Sequence, residues 1–283
     1  MDGLAPLKIK RMVRKNNRNN MITTPTIVTA LFDIGRDKWS NYGLSYHTYM
    51  MWMRNLLYFD TNMVIYTEEK FKDFVIDQRK QIDPNLEKTI VIIDDLDNLN
   101  SYQMFYDEVK TLMEDEEFKN KRHFNVPEMT EPLYNIIIFN KLYFIKRSIS
   151  EGHFNSDMFI WCDAGVLRDG EPLIKKGFPN LNKINDGYGK QITFFSHHEE
   201  FSINDRPFHL FSQFRYIHGG CFFVPNNEKI DKLIENFNTL VSEHLKNGYV
   251  GSEEKYLDFC YLDNKDEYNI VKSDWRQYFD LFG

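Results

Sequence analysis

Phe159-Ile160-Trp161-Cys162-Asp163-Ala164-Gly165 runs an apolar segment straight into one acid and, two residues on, a glycine. With Met158 before it, the run shows no polar alternation, the pattern of a strand buried on both faces in a chain where strands and helices alternate. A carboxylate that ends such a strand lies at the carboxyl edge of the sheet, the crevice where open α/β sheets take their ligands. Asp163 is therefore the first candidate for the chemistry. The competing reading makes it a turn cap, with Gly165 supplying a positive φ.

Upstream of this strand the alternation repeats. Pro25 to Phe32 is rich in β-branched residues and predicts a first strand, followed by the loop Asp33-Ile34-Gly35-Arg36-Asp37-Lys38-Trp39 at the same edge as Asp163. Leu44, Tyr49, Trp52, Met53, Leu56 and Leu57 follow a 3.6-residue period, so residues 42 to 57 read as a helix whose aromatic stripe belongs to the core. Strands are expected at 62–67 and 89–93, with a charged helix near 68–80 between them and another helix at 102–118. Pro132 opens a long helix to about Ser150, because a first-turn proline gives up only an N–H that has no partner. This order predicts a single α/β domain over residues 21–283, with right-handed crossovers and a mostly parallel central sheet flanked by helices.

Downstream, Gln191 to Ser196 predicts another strand, ending in His197-His198-Glu199-Glu200. Adjacent residues of an extended segment point to opposite faces, so only a loop would gather these four around a metal. Arg215 to Pro225 sets apolar residues around His218-Gly219-Gly220, and glycines inside a strand mark a bulge or the close approach of a ligand to the backbone. Helices near 227–247 and 252–262 follow. The second begins Ser252-Glu253-Glu254, a cap with acids that suit the helix dipole. A strand at Tyr268 to Lys272 leads to an aromatic end with Trp275, Arg276 and Tyr278.

Composition narrows the function classes. The chain has 283 residues, 42% hydrophobic and 27% charged, ordinary for a soluble globular protein. Six of its 35 Lys and Arg residues but only one of its 42 acids fall in the first 20 positions, a basic tail expected to be disordered. The remainder carries 29 basic and 41 acidic residues, a formal charge of about −12, which argues against nucleic-acid binding. Cys162, Cys221 and Cys260 have neither zinc-site spacing nor an even count, and no apolar run is long enough for a membrane span. A reducing, cytoplasmic setting is expected.

Two further features invite a functional reading. Asp94-Asp95-Leu96-Asp97 closes the third strand and suits a hard cation, or else a solvated loop before the next helix. Lys141 falls on the otherwise apolar face of the 132–150 helix, where it either snorkels to water or reaches the crevice to neutralise a phosphate.

Taken in order, the Asp33-Ile34-Gly35-Arg36 loop, the lysine-bearing helix, the Trp-Cys-Asp-Ala-Gly strand end, the Gly-Gly strand and the acid-led helix resemble the WlaTC/HtrL (HtrL/YibB) glycosyltransferase family. The resemblance spans roughly residues 24 to 280 and is most specific in Thr26 to Arg36 and Phe159 to Arg168. It implies a GT-A fold and transfer of a sugar from a nucleotide-sugar donor to a hydroxyl acceptor, on a glycan. In GT-A enzymes the strand end is typically Asp-X-Asp, whose carboxylates hold manganese or magnesium against the donor's diphosphate and so offset the charge of the leaving group. Asp163-Ala164-Gly165 lacks the second acid. The resemblance therefore leaves Asp163 to bind a metal or a ribose hydroxyl, with Lys141, Arg36 or Arg168 supplying positive charge.

Carried across by position, Asp33 and Arg36 would meet the nucleotide, while Lys141 and Asp163 would face its phosphates. His218, Gly219 and Gly220 would line the sugar and acceptor side. Glu253 or Glu254 would approach the reacting hydroxyl, as the general base if the reaction inverts. Two rivals remain. A sugar-1-phosphate nucleotidyltransferase would need a glycine-rich loop after the first strand, where only Gly35 is present. A non-catalytic glycan- or nucleotide-binding domain would account for the missing acid.

Overall fold

The computed structural model describes residues 23–168 and 177–283, so the expectation for the basic tail lies outside the described residues. Seven strands form one sheet: β1 (Thr26–Leu31), β2 (Asn62–Thr67), β3 (Thr89–Ile93), β4 (Met158–Cys162), β5 (Ile192–Ser196), β6 (Ile217–Pro225) and β7 (Tyr268–Lys272). Their order is β3-β2-β1-β4-β6-β5-β7. β1 pairs in parallel with β2 and β4, β2 with β3, and β5 with β7; β6 alone runs antiparallel to both neighbours. The mixed α/β class and the mostly parallel sheet flanked by helices are as expected.

The sheet is covered on both faces, which is why β4 reads as an unbroken apolar run. Phe159 and Trp161 enter a core shared with α3 (Asn100–Glu114), α6 (Pro132–Phe139), α7 (Lys141–Glu151), α10 (Lys229–Lys246) and α11 (Glu253–Asp263). Met158, Ile160 and Cys162 enter the opposite one, with α1 (Tyr46–Leu57), α2 (Glu69–Arg79), α8 (Leu181–Tyr188) and α12 (Tyr278–Leu281). The period of two that alternates these side chains puts Asp163 on the Trp161 face, toward α7. Cys162 and Cys221 face one another across β4 and β6 with sulfurs 3.9 Å apart, both as free thiols.

Three helices differ from their sequence expectation. α1 starts at Tyr46 rather than 42, where the Ser45 hydroxyl caps it by accepting from the Thr48 N–H at 3.2 Å. The helix expected at 102–118 is broken by Asp115. That residue is extended, and its carboxylate accepts from the Phe118 N–H at 3.0 Å to start α4 (Glu116–Lys121). The helix from Pro132 is interrupted at Asn140, whose side chain accepts from the Ser101 N–H at 3.1 Å, while the Ser101 hydroxyl takes the Ile136 carbonyl at 2.7 Å. Lys141 is consequently the first residue of α7, aimed at the end of β4.

Candidate active site

β1 and β4 are parallel neighbours, so the loops that follow them leave the same edge of the sheet. Between these loops lies a cleft that opens to solvent. Ala30, Leu31, Phe32 and Ile34 form one wall, Ala164, Gly165 and Val166 another, and Tyr134, Ile137 and Ile138 come from the helical side. The charged groups that line it are Arg36, Lys141, Asp163 and Arg168.

Lys141 is the centre of the electrostatics. It is only 4% exposed, and its Nζ lies 2.9 Å from Asp163 Oδ1 and 3.1 Å from the Gly219 carbonyl, and bonds Glu253 Oε1 as well. The alternative in which it snorkels to the surface is excluded by this placement. Burial pulls the ammonium's pKa down, but Asp163 and Glu253 outweigh it and hold the group charged, above the usual lysine range. Asp163 Oδ1 also accepts from the Trp161 indole N–H at 2.7 Å.

A turn does follow Asp163, whose carbonyl accepts from the Val166 N–H at 3.0 Å, but the part of the turn-cap reading that concerns Gly165 fails. Gly165 has no positive φ; a Cβ there would instead lie 3.2 Å from Trp52 Cε3 and 3.4 Å from Tyr49 Cε1. Glycine is needed so that α1 can press its aromatic rings against the strand end. Tyr49 and Trp52 are thus only partly core residues: Tyr49 lines the cleft, and Trp52 meets the Arg168 guanidinium at 4.8 Å.

Glu253 sits behind Lys141 rather than on the cleft wall. Burial first, and then the neighbouring Glu254 and Asp163, push its carboxyl up against the pull of Lys141, to about 7. Glu254 is occupied by the Gly219 N–H at 2.9 Å and by Arg215 Nη1 at 3.0 Å. Neither acid lines the cleft, nor do His218, Gly219 and Gly220. Ser252 holds the N-cap position of α11, but its side chain makes no capping bond. The two acids that follow it serve Lys141, Arg215 and the β6 backbone rather than only the helix dipole.

Of the two readings of the Gly-Gly strand, the structure shows the bulge. Pairing of β6 with β5 jumps from Phe194↔Phe222 to Ser196↔Ile217, a bulge that contains His218 to Cys221. A Cβ on Gly219 would overlap the Glu253 carboxylate and lie 2.9 Å from Glu254 Cγ. His218 is buried, with Nε2 3.2 Å from the Ser273 carbonyl; burial and then His197 hold its pKa below the usual histidine range.

The remaining candidates lie elsewhere. Asp33 accepts from the Gly35 N–H at 2.9 Å and pairs with Lys70 at 2.5 Å, which fixes the loop that carries Arg36. Asp94 pairs with Arg147 at 2.8 Å and is not part of the cleft wall. His197 faces His218 while His198 faces Tyr216, so the two histidines diverge in the bends beyond β5. Among the described residues no three His, Cys, Asp or Glu side chains gather as a metal site. Sequence reasoning missed Trp275, which reaches the cleft from the end of the chain and holds the Arg168 guanidinium at 5.0 Å.

A family model described as "Bacterial protein of unknown function (HtrL_YibB)" matches residues 23–283. The chain belongs to that family. It is 26% identical over 287 residues to Protein HtrL of Escherichia coli (strain K12), an alignment that covers 93% of this chain and 92% of that relative. Among solved structures, the apo form of mouse xyloside xylosyltransferase 1 aligns with a TM-score of 0.46 at 11% identity, over 87% of this chain and 84% of that one. Among the described residues, no helix is long and apolar enough to cross a membrane.

Proposed function

We propose that this HtrL/YibB member is a glycosyltransferase that moves a sugar from a nucleotide-sugar donor to a hydroxyl acceptor on a glycan. The observation that carries the reading is the cleft at the carboxyl edge of β1 and β4, where Arg36, Lys141 and Arg168 surround a single carboxylate, Asp163, between aromatic walls. Such a site suits a ligand that joins several negative charges to flat and apolar parts, as a sugar nucleotide does. In this reading Arg36 and Arg168 face the diphosphate, and Asp163, oriented by Trp161 and Lys141, accepts a donor hydroxyl. Glu253 positions Lys141.

A non-catalytic nucleotide- or glycan-binding domain is the second reading, and one observation favours it. Neither Glu253 nor Glu254 lines the cleft, so among the described residues the wall offers no carboxylate besides Asp163 to take a proton from an acceptor. Titration with a panel of nucleotide sugars, followed by a hydrolysis assay on those that bind, separates the two. Transfer predicts that one donor binds more tightly than its free nucleoside and is slowly hydrolysed. Binding without turnover in the presence of candidate acceptors favours the second reading, and a panel with no binder overturns both.

A further inference from the structure

A GT-A architecture implies a divalent cation on the donor's diphosphate, and the residues at this strand end do not fit one. Where the second acid of Asp-X-Asp would stand is Gly165, and the space a side chain would enter there holds the rings of Trp52 and Tyr49, 3.2 and 3.4 Å from the Cβ position. One oxygen of the remaining acid is already engaged: Asp163 Oδ1 accepts from Lys141 Nζ at 2.9 Å and from Trp161 Nε1 at 2.7 Å. A magnesium ion needs oxygen ligands at about 2.0–2.1 Å in near-octahedral array. Among the described residues it would meet at Asp163 a single carboxylate, one oxygen of it already engaged, with a fixed ammonium beside it.

The positive charge comes from the protein. Arg36 and Arg168 have no carboxylate partner within ion-pair distance among the described residues, whereas the charge of Lys141 is balanced by Asp163 and Glu253. Each guanidinium is held by aromatic faces. Arg36 Cζ lies 5.3 to 5.8 Å from the ring centres of Trp39, Tyr49 and Tyr134, and Arg168 Cζ lies between Trp52 and Trp275. Their Nε atoms donate to backbone carbonyls, Arg36 to Tyr42 at 3.0 Å and Arg168 to Gly165 at 3.2 Å. Arg36 also donates from Nη1 to the Tyr49 hydroxyl, so both planes are fixed while, among the described residues, Arg36 Nη2 and the terminal nitrogens of Arg168 are left to meet a ligand. A guanidinium stays charged at every working pH and matches phosphate oxygens two at a time.

From this we infer that the cleft binds a diphosphate without a divalent cation, clasped by the two aromatic-held guanidiniums of Arg36 and Arg168. That the diphosphate belongs to a sugar nucleotide rests on the function proposed above; the cation-free clasp itself does not.

Calorimetric titration of the full chain with inorganic pyrophosphate and with UDP, GDP, ADP and CDP, in EDTA and then in manganese or magnesium, tests it. The expected result is that pyrophosphate and one nucleoside diphosphate bind in EDTA, with affinities that metal changes by less than about threefold. Arg36→Gln and Arg168→Gln should each weaken both ligands by about tenfold or more, since each removes a charge-assisted fork, while thermal melts confirm that the variants remain folded. Binding that appears only with metal, or variants that bind like wild type, would overturn the clasp. If UDP or another nucleotide binds only with manganese, the donor reading survives and this inference falls. If pyrophosphate binds in EDTA and no nucleoside diphosphate binds better, the clasp stands and the donor reading falls. No binding under any condition overturns both.

Discussion

The Trp161 indole N–H donates to Asp163 Oδ1 over 2.7 Å, from two residues earlier in the same chain. Alternate residues of a strand share a face, so the end of β4 supplies both the acid and the group that orients it. The indole is itself held, stacked on Phe144 with ring centres 6.0 Å apart and planes within 6°. Rigid stacking therefore passes from α7 through Trp161 to the carboxylate, while Lys141 grips the same oxygen from the first residue of α7. One helix fixes Asp163 in two ways.

Asp163→Asn should accordingly separate charge from geometry. The amide oxygen keeps the indole bond, while Lys141 loses one of its two carboxylates and retains Glu253. Because the Asp163 side chain is 37% exposed, the expected cost is modest, about 1–2 kcal/mol, read by urea denaturation. Donor turnover should fall to a few per cent or less of wild type in a hydrolysis assay. Asp163→Ala also strands the indole N–H and should cost about 1 kcal/mol more. Unchanged turnover in the asparagine variant would remove Asp163 from the chemistry.

Glu253 makes stability depend on pH in a definite direction. Its carboxyl titrates near 4.5 when unperturbed and is pushed up to about 7 in the folded chain, first by burial. Between those values the native state binds more protons than the unfolded one, so this group's contribution is full below about 4.5 and is lost as pH rises through about 7. His218, held below its usual 6.5 by burial and His197, gives the opposite slope at lower pH. The difference between variants is therefore the quantity to read. Wild type should lose melting temperature relative to Glu253→Gln between pH 5 and 8, and parallel profiles would show that Glu253 does not titrate there.

What the sequence revealed of the fold follows from burial on both faces. β2 and β4 begin and end where their apolar runs do, because helices cover them on each side, while the partly buried edge strands β3 and β7 were legible from their β-branched residues. The helix breaks were hidden because the groups that make them act through side chains. Asn140 looks like any polar residue on a helix until Ser101, far back in the chain, is seen to hold it. At the site, Asp163 and Arg168 were legible beside a strand end, Arg36 in the loop after the first strand and Lys141 as a lysine on an apolar helix face, and all four line one cleft. Glu253, Glu254 and His218 were placed a layer too far forward. Their distance from the cleft is set by the β6 bulge and by Gly219, which period and spacing do not encode.

Arg79 should prove the costliest single loss on the α2 side. It is fully buried, with its guanidinium donating to the carbonyls of Leu57 at 2.7 Å, Phe59 at 2.8 Å and Thr61 at 3.2 Å, and to the Thr89 hydroxyl at 2.9 Å. It thus ties the end of α1 to β2 and β3. Arg79→Met leaves these acceptors without their donor and should cost about 3–5 kcal/mol. Arg54→Met, on the exposed side of α1, should stay within about 0.5 kcal/mol. Similar urea midpoints for the two variants would contradict this ranking.

Gly219→Ala tests whether the bulge sets the position of the buried acid. The new methyl would overlap the Glu253 carboxylate and crowd Glu254 Cγ at 2.9 Å, so the α11 acids must retreat from β6. Overpacking of this kind costs about 1–3 kcal/mol, and here it also pulls a carboxylate from Lys141. The neighbouring Gly220→Ala meets nothing nearer than Trp275 Nε1 at 3.4 Å and should be milder in both stability and donor affinity. Shortening the displaced acid supplies the control. In Gly219→Ala/Glu253→Asp the carboxylate no longer occupies the space the methyl needs, so part of the lost stability should return, although Glu253→Asp alone destabilises by lengthening the reach to Lys141. A double variant no more stable than the sum of its parts would show that the strain lies in the β6 backbone rather than between the methyl and the acid.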